Sequence, residues 1–262
     1  MNKFISSLFD LTGKSALITG GSRGLGLQIA MGLGDAGARL VLTARKADPL
    51  ASAVKQLEAR GISAECIAAD ASVPEQIQHV CDHAMATLGS IDILVNNAGA
   101  TWAAPAEEHS LEAWDKVMNL NVRSGFVMSQ AVANACMIER GGGRIINIAS
   151  IAGLAGSTEA KFIAYGTSKG AVVNFTRTLA AEWGRYGINV NALAPGFFPS
   201  KMTHGLIAQL GEGNMVSKVP LQRLGDEDDL KGAALLFASE AGKHITGQIL
   251  AVDGGVSAVV PT

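Results

Sequence analysis

Charged and aromatic residues are scarce in this chain of 262 residues, at 17% and 5% of the sequence. The formal net charge is −2 and basic residues are nowhere clustered, so we expect neither nucleic acid nor an anionic membrane as a partner. An apolar run of the roughly 18 residues that cross a bilayer is also missing. The first residues contain only a short apolar run, which is not typical of a signal peptide, and we expect a cytoplasmic protein.

Cysteine is scarce as well. The three cysteines, Cys66, Cys81 and Cys136, are far apart in the sequence and form no Cys-x-x-Cys pair. This pattern is typical neither of a disulfide framework nor of a zinc site. We therefore expect reduced, buried thiols and no metal site.

The residues that are present indicate a well-buried core, because 48% of them are hydrophobic. Short apolar runs predict strands at 15–19, 39–43, 63–69, 91–95, 144–149, 188–194 and 248–252. Helical spacing of apolar residues predicts helices at 27–37, 49–60, 74–88, 111–139, 165–186 and 226–239. This alternation is typical of an α/β fold with a Rossmann-like, doubly wound parallel β-sheet and helices on both faces. No linker divides the chain, so we expect a single domain over residues 1–262.

The segment from about 196 to 225 interrupts the alternation. It is rich in glycine and proline, and it follows the carboxyl end of a strand, where ligands bind in such sheets. A loop of this length is typically a lid or a binding loop, and we expect a substrate lid here. Its apolar residues either line a pocket or pack the lid onto the domain, and the sequence favours neither: Phe197, Phe198, Met202, Leu206 and Ile207.

The stretch from 150 to 169 contains the hydroxyl of Ser150, the phenol of Tyr165 and the ammonium of Lys169. Tyr165 and Lys169 are four residues apart, so they share one face if the stretch is helical. A phenol ordinarily has a pKa near ~10, and a neighbouring cation lowers it, so we expect Lys169 to depress the pKa of Tyr165. Such a phenol can exchange a proton with an alcohol or a carbonyl oxygen.

A glycine-rich turn, GGSRGLG at 20–26, lies between a predicted strand and a predicted helix. This arrangement binds a pyrophosphate group at the N-terminus of the helix. A hydride-carrying dinucleotide beside a tuned phenol is the chemistry of carbonyl reduction and of its reverse.

Together these motifs make the chain resemble the short-chain dehydrogenase/reductase family. The resemblance covers TGGSRGLG at 19–26, Asp70, NNAG at 96–99, Asn121, Ser150, YGTSK at 165–169 and Pro195-Gly196. It implies an NAD(P)-dependent enzyme that acts on a secondary alcohol or a carbonyl group. The implied catalytic residues are Asn121, Ser150, Tyr165 and Lys169. The implied cofactor-binding residues are Gly20, Ser22, Arg23, Gly24, Leu25, Gly26, Arg45, Asp70, Ala71, Asn97, Ala98, Gly99, Tyr165, Lys169, Pro195, Gly196, Phe198 and Ser200.

In the mechanism that the resemblance implies, Tyr165 protonates the carbonyl oxygen while Ser150 orients it. Lys169 binds the ribose of the nicotinamide and tunes the phenol. The separation of Ser150 and Tyr165 is about two residues longer than the family pattern. We expect the extra residues to enlarge the loop at 153–162, beside the substrate.

Asn121 is implied to hold a water in a proton relay that leads to Lys169. Asn119 is a rival for this role. The family's spacing from asparagine to the following phenylalanine favours Asn121, because Phe126 then falls in register.

Arg45 follows the second predicted strand, where NAD-binding proteins commonly have an acidic residue. A guanidinium is suited to a 2′-phosphate, and Arg23 in the glycine turn could assist. We therefore predict NADP(H) in preference to NAD(H). The alternative is that Arg45 is an ordinary surface arginine.

The expected lid and Trp102 favour a hydrophobic ketone, and the segments around them resemble the 3-oxoacyl reductases associated with rhamnolipid precursors. We predict a small-molecule carbonyl or alcohol substrate of 3-oxoacyl type, with a polyol- or gluconate-type dehydrogenase as the alternative. An alternative of another class is a non-catalytic NADPH sensor, which would not need the complete catalytic set. The family resemblance also implies a homotetramer in which the helices at 111–139 and 165–186 pair between subunits.

Overall fold

The computed structural model describes residues 3–157, 161–199, 203 and 211–259. Its strands are β1 (Ser15–Thr19), β2 (Arg39–Ala44), β3 (Ala64–Ala68), β4 (Ile93–Asn96), β5 (Gly143–Ile148), β6 (Ile188–Pro195) and β7 (Ile249–Val252). They form one seven-stranded sheet in the order β3-β2-β1-β4-β5-β6-β7. Every neighbouring pair is parallel, which confirms the predicted sheet.

The helices connect successive strands, as parallel pairing requires. They are α1 (Lys3–Leu8), α2 (Gly24–Asp35), α3 (Ala47–Glu58), α4 (Pro74–Leu88), α5 (Leu111–Met118), α6 (Ser124–Val132), α7 (Ile138–Arg140), α8 (Ile163–Trp183), α9 (Glu212–Val216) and α10 (Lys231–Ala238). Two π-helical turns, Asn119–Arg123 and Ala133–Met137, lie between α5, α6 and α7.

Strand β1 shows why the sheet is covered on both faces. All five of its residues are buried, and successive side chains point to opposite faces. Ile18 packs into one core cluster together with Leu33 of α2, whereas Leu17 packs into a second cluster together with Val132 of α6. A strand buried on both faces has an uninterrupted apolar sequence, and it needs helices on each side.

The sheet order reverses at β1, because the chain runs outward to β3 on one side and then continues with β4 on the other. The connections leaving the carboxyl ends of β1 and β4 therefore diverge and leave a crevice between them. In open α/β sheets this crevice is where ligands bind. The functional motifs follow the carboxyl ends of β1, β4, β5 and β6, so they meet along one edge of the sheet.

The predicted long helix at 111–139 is interrupted. The structure covers nearly the same range, but two π-helical turns divide it into three α-helical segments. Each such turn inserts one extra residue into a helical turn, which a search for 3.6-residue periodicity does not detect. The first of the two contains Asn121.

Other helix boundaries also differ from the prediction, most of all the start of the helix expected at 226–239. The helix expected from 226 begins at Lys231, because Asp226 to Asp229 form a turn. In this turn the Asp229 carboxylate accepts hydrogen bonds from the backbone N–H of Asp226 and from Arg223. Helix α1 precedes β1, where the apolar pattern of the sequence predicts no helix. Of the expected lid, the structure describes 196–199, 203 and 211–225, whereas Met202, Leu206 and Ile207 lie outside the described residues.

Candidate active site

The glycine turn is shaped to bring a ligand close to the backbone. Gly20 and Gly24 have positive φ angles of 67° and 55°, which residues with a side chain rarely adopt. A Cβ at Gly26 would collide with Asn97, whereas the position of a Cβ on Gly24 is open space. Helix α2 begins at Gly24 without a side-chain cap, so its first N–H groups face this space. These features fit a pyrophosphate group at the helix N-terminus.

The loop after β4 is tied to this turn by hydrogen bonds. The Thr19 hydroxyl accepts bonds from the N–H groups of Asn97 and Ala98, at 2.9 and 3.0 Å. The Asn97 side chain donates to the carbonyl oxygens of Thr19 and Gly20, at 2.9 and 3.1 Å. Asn97 therefore holds the two loops together, and its neighbours Ala98 and Gly99 border the crevice beside them.

The two arginines expected near the adenosine end, Arg23 and Arg45, are both exposed at the carboxyl edge of the sheet. Asp70 lies near Arg45 and accepts hydrogen bonds from the N–H and hydroxyl of Ser72, at 2.9 and 2.7 Å. The pKa of Asp70 lies below its ordinary value. Burial acts to raise it, but the bonds from Ser72 and the charge of Arg45 act in the opposite direction and prevail. Ser22, Leu25 and Ala71 are half-buried in the same region.

Ser150, Tyr165 and Lys169 come together as the sequence predicts. Ser150 follows β5 and is 9% exposed, and its side chain interacts with the phenol of Tyr165. Tyr165 and Lys169 lie one turn apart on α8, and the Lys169 Nζ is 5.7 Å from the centre of the Tyr165 ring. Lys169 is 5% exposed, and its Nζ donates a hydrogen bond of 2.7 Å to the carbonyl oxygen of Ile148.

The pKa of Tyr165 differs in direction from the sequence-based expectation. Burial raises the pKa of the phenol above its ordinary value, and the Ser150 hydroxyl opposes this rise without cancelling it. The same burial lowers the pKa of Lys169 to about 8. The i, i+4 pattern identifies the pair but not how deeply it is buried, and burial disfavours the charged form of both groups.

Asn121 is 6% exposed and joins the loop after β4 to the helix that carries Tyr165. Its Oδ1 accepts a hydrogen bond from the N–H of Ala100 at 2.7 Å. Its Nδ2 donates to the carbonyl oxygen of Ala100 and to the hydroxyl of Ser168, both at 2.9 Å. Ser168 in turn donates to the carbonyl oxygen of Tyr165 at 2.7 Å. Among the described residues, Asn121 and not Asn119 therefore makes the side-chain hydrogen bond to α8.

The end of β6 completes the crevice. Pro195 is the last residue of the strand, and Gly196 packs so closely on Asp253 that a Cβ would lie 2.6 Å from that side chain. Phe198, expected to bind cofactor, has its side chain in the core, 4% exposed and packed on Gly225. Its ring therefore packs the segment onto the domain. Ser200 lies outside the described residues.

The loop that follows Ser150 borders an open cleft of about 650 Å³. The cleft is lined by backbone and side chains from four segments: 104–107, 152–157, 161–163 and 166–167. Apolar Leu154, Phe162 and Ile163 line it together with charged Glu107 and Lys161. The loop at 153–162, which we expect to be enlarged, contributes residues to this cleft, and its residues 158–160 lie outside the described part.

Within the described ranges, no group of three His, Cys, Asp or Glu side chains is arranged to hold a metal ion. Among the same residues, no helix has the length and apolar character to cross a membrane. The cysteines are free thiols, and burial raises the pKa of Cys81 to about 11.

Three contacts that position the site were missed from the sequence. Thr19 anchors the loop after β4, Ser168 connects Asn121 to α8, and Phe162 packs its ring on that of Tyr165. Ser168 and Thr19 lie inside the recognised motifs, so the motifs themselves were the available signal. For Phe162 the signal was an aromatic residue three positions before Tyr165.

Comparison with known proteins agrees with this geometry. Residues 14–211 match the family model described as short chain dehydrogenase. The chain belongs to this family, and it is an NAD(P)-dependent oxidoreductase.

Its relatives act on different substrates. The chain is 41% identical to a gluconate 5-dehydrogenase of Gluconobacter oxydans, over 95% of this chain and 97% of the relative. It is 39% identical to the rhamnolipids biosynthesis 3-oxoacyl-[acyl-carrier-protein] reductase of Pseudomonas aeruginosa, over 94% of this chain and 97% of the relative. Among solved structures, one similar chain is a gluconate 5-dehydrogenase from Burkholderia cenocepacia in complex with NADP and tartrate. Its TM-score is 0.91 at 37% identity, and the match spans 98% of this chain and 100% of that chain.

Proposed function

We propose that the chain interconverts a secondary alcohol and a ketone on a sugar acid of gluconate type, with NADP(H) as the cofactor. The support comes from relatives over nearly the full length: a gluconate 5-dehydrogenase, and an Escherichia coli 2-dehydro-3-deoxy-D-gluconate 5-dehydrogenase at 39% identity. These relatives favour the sugar-acid alternative over the 3-oxoacyl substrate that the sequence motifs suggested first.

The observation that carries the chemistry is the buried contact between Tyr165 and Lys169, with Ser150 at the phenol. When bound, the nicotinamide supplies or accepts the hydride. Tyr165 gives its phenolic proton to the carbonyl oxygen of the substrate, and Ser150 holds that oxygen by a hydrogen bond. Lys169 keeps a positive charge beside the phenol and the ribose, which stabilises the phenolate left after proton transfer.

The raised pKa of Tyr165 suits the reductive direction, because the phenol stays protonated at neutral pH and above. The oxidative direction needs the phenolate as base, so its rate should rise with pH. With a pKa of about 8, Lys169 is mostly charged at pH ~7. Asn121 is proposed to hold the water through which Lys169 exchanges protons with solvent.

The choice of NADP(H) is supported by two exposed cations and by related structures. Arg23 and Arg45 lie at the edge of the crevice where the 2′-phosphate of the cofactor would fall. The Burkholderia cenocepacia relative was solved with NADP. The NADP(H) prediction agrees with that complex. The residues we propose to hold the cofactor are those of the glycine turn, the loop after β4, Asp70 and the Pro195–Gly196 turn.

The test is a substrate panel with purified protein and NADPH. With NADPH it should contain 5-keto-D-gluconate, a 3-oxoacyl thioester and an uncharged keto-sugar; 2-dehydro-3-deoxy-D-gluconate, which is an alcohol at C5, is tested with NADP+ in the oxidative direction. We expect the highest kcat/KM with a sugar acid. A kcat/KM for the 3-oxoacyl thioester that exceeds every sugar acid would overturn the proposal.

A 3-oxoacyl substrate is the second candidate, and two observations favour it. The Pseudomonas aeruginosa reductase is 39% identical to this chain. Three apolar side chains, Leu154, Phe162 and Ile163, line the cleft beside the site. If no carbonyl in the panel is reduced while NADPH binds, a cofactor-sensing protein becomes the better description.

We also propose that the chain forms a homotetramer through its two longest helical regions. Leu111 and Phe126 are exposed at 80% and 44%, and they lie on α5 and α6. Large apolar residues at such exposure are typical of surfaces that a second subunit covers.

A further inference from the structure

Phe162 is held in place immediately before α8. Its neighbour Lys161 accepts a hydrogen bond from the N–H of Ala104 at 2.8 Å, and Phe162 pairs with Ala104 in a short parallel bridge. On its other side, the carbonyl oxygen of Phe162 accepts a bond of 2.9 Å from the N–H of Gly166 in the first turn of α8. The backbone of Phe162 is therefore fixed both to the segment after β4 and to the catalytic helix.

The ring of Phe162 packs on the ring of Tyr165. The two ring centres are 5.6 Å apart and the ring planes meet at 81°, which is the favourable edge-to-face geometry. On the next turn of the helix, the Lys169 Nζ lies 5.7 Å from the centre of the Tyr165 ring. Tyr165 is thus enclosed between a residue three positions before it and one four positions after it. These two contacts restrict the rotamers of the phenol.

Phe162 also lines the cleft of about 650 Å³, which Tyr165 does not line. Phe162 therefore contacts the Tyr165 ring and also borders the open cleft. A smaller side chain would open this wall and let water reach the phenol from a second direction.

We propose that Phe162 is a positioning residue for the reaction: its ring holds the Tyr165 phenol toward Ser150 and shields it from the water in the cleft. This inference rests on the proton-donor role proposed for Tyr165. It predicts two linked effects of removing the ring, a misplaced phenol and a hydrated one.

Among the residues that the structure describes, the titratable group against the Tyr165 ring is Lys169 on the same helix, and the neutral Ser150 contacts the phenol from the end of β5. Glu107 and Lys161 line the same cleft as Phe162. Hydration in Phe162→Ala would weaken the effect of burial, which is what raises the pKa of Tyr165.

The phenol can be observed directly because the chain has two tyrosines. Replacing Tyr186, whose hydroxyl accepts a bond from Arg185 at the surface, leaves Tyr165 as the only phenol. In the Tyr186→Phe background, the ultraviolet absorbance of phenolate gives the pKa of Tyr165 without any substrate. We expect Phe162→Ala to move the midpoint down toward the ordinary value near ~10.

Kinetics should change together with the titration. We expect kcat for Phe162→Ala, measured with NADPH and 5-keto-D-gluconate or the best substrate of the panel, to fall by about 10- to 100-fold. Phe162→Leu, which keeps apolar volume but loses the ring, should lose about 2- to 12-fold. Phe162→Tyr should restore most of the rate, and the Kd for NADPH should stay within about twofold in all three.

The matched control is Phe9→Leu. Phe9 is half-buried and lies before the amino end of β1, at the opposite edge of the sheet from Tyr165 and outside the helices proposed to pair between subunits. This variant should change neither kcat nor the midpoint of the phenol by a measurable amount.

A fall in kcat accompanied by the shifted midpoint would support the proposal. Either change without the other would overturn it. A fall in rate that is fully explained by a smaller fraction of protein able to bind NADPH would overturn it as well. Tyr165→Phe separates this inference from the function on which it rests. If Tyr165→Phe is fully active, the proton-donor role fails; if it is inactive while Phe162→Ala is normal, only the positioning role fails.

Discussion

Replacing Lys169 by methionine tests whether burial, and not a neighbouring charge, sets the chemistry of the site. Methionine retains the apolar part of the side chain and removes the ammonium. Lys169 is 5% exposed, and burial depresses its pKa from 10.5 to about 8. This depression corresponds to roughly 3 kcal/mol of folding free energy that the wild-type protein loses by keeping the charge buried.

The net effect at neutral pH is smaller, because the variant also loses the hydrogen bond from Nζ to the carbonyl oxygen of Ile148. A bond to a charged group contributes about 1.5–3 kcal/mol. We therefore expect Lys169→Met to be between equally stable and about 2 kcal/mol more stable than wild type at pH ~7. We expect it to be inactive, with kcat lowered at least 100-fold, on the order of a lost acid–base contribution.

The pH dependence of this difference is the sharper test. At a pH below about 8 the lysine is charged in both the folded and the unfolded state, so the full cost of burial is present. As the pH rises, the folded protein releases the proton before the unfolded chain does, and the wild type recovers stability. The advantage of Lys169→Met should therefore fall by about 2 kcal/mol between pH ~7 and ~9.5.

Urea unfolding of both proteins at one protein concentration and several pH values measures this difference. The matched control is Lys55→Met, which removes an exposed lysine from α3 and should give a difference that does not vary with pH. A difference between Lys169→Met and wild type that is equally independent of pH would refute the reasoning.

Three further predictions concern the cofactor, the packing of the site and the assembly. Arg45→Ala should lower kcat/KM for NADPH by about 10- to 100-fold and leave that for NADH unchanged, because it removes a charge-assisted contact to the 2′-phosphate; a wild-type preference for NADH would contradict this. Gly153→Ala should cost about 1–3 kcal/mol in urea unfolding, because its Cβ would collide with the backbone of Lys169, whereas Gly156→Ala, whose Cβ meets open space, should cost much less. Light scattering should give the mass of a tetramer, and a monomer mass would exclude the proposed pairing of helices.

The sequence predicts best those elements whose apolar spacing and end residues fit a single type of secondary structure. β1 agrees with its predicted residues 15–19, and α4 agrees with 74–88, where Pro74 starts the helix and Gly89 ends it in a left-handed conformation. The interrupted helix from Leu111 to Arg140 could not be predicted in detail. Its π-helical turns leave the apolar spacing nearly intact, so the pattern continues through them.

In the site, too, the sequence predicts some features and not others. Motifs predict which residues meet, since the carboxyl ends of parallel strands share one edge of the sheet. They do not predict how much water reaches each group, and this is why the pKa of Tyr165 is raised where a lysine neighbour alone would lower it. The contact of Phe162 with Tyr165 depends on the position of Phe162, which its pairing with Ala104 fixes.

The most direct test of the whole account is the transfer of the phenolic proton. Tyr165→Phe keeps the ring and removes only the hydroxyl, so NADPH should bind with unchanged affinity. Its oxidation in a single turnover with the best carbonyl substrate should slow by about 1,000-fold. A single-turnover rate equal to that of the wild type would contradict the account.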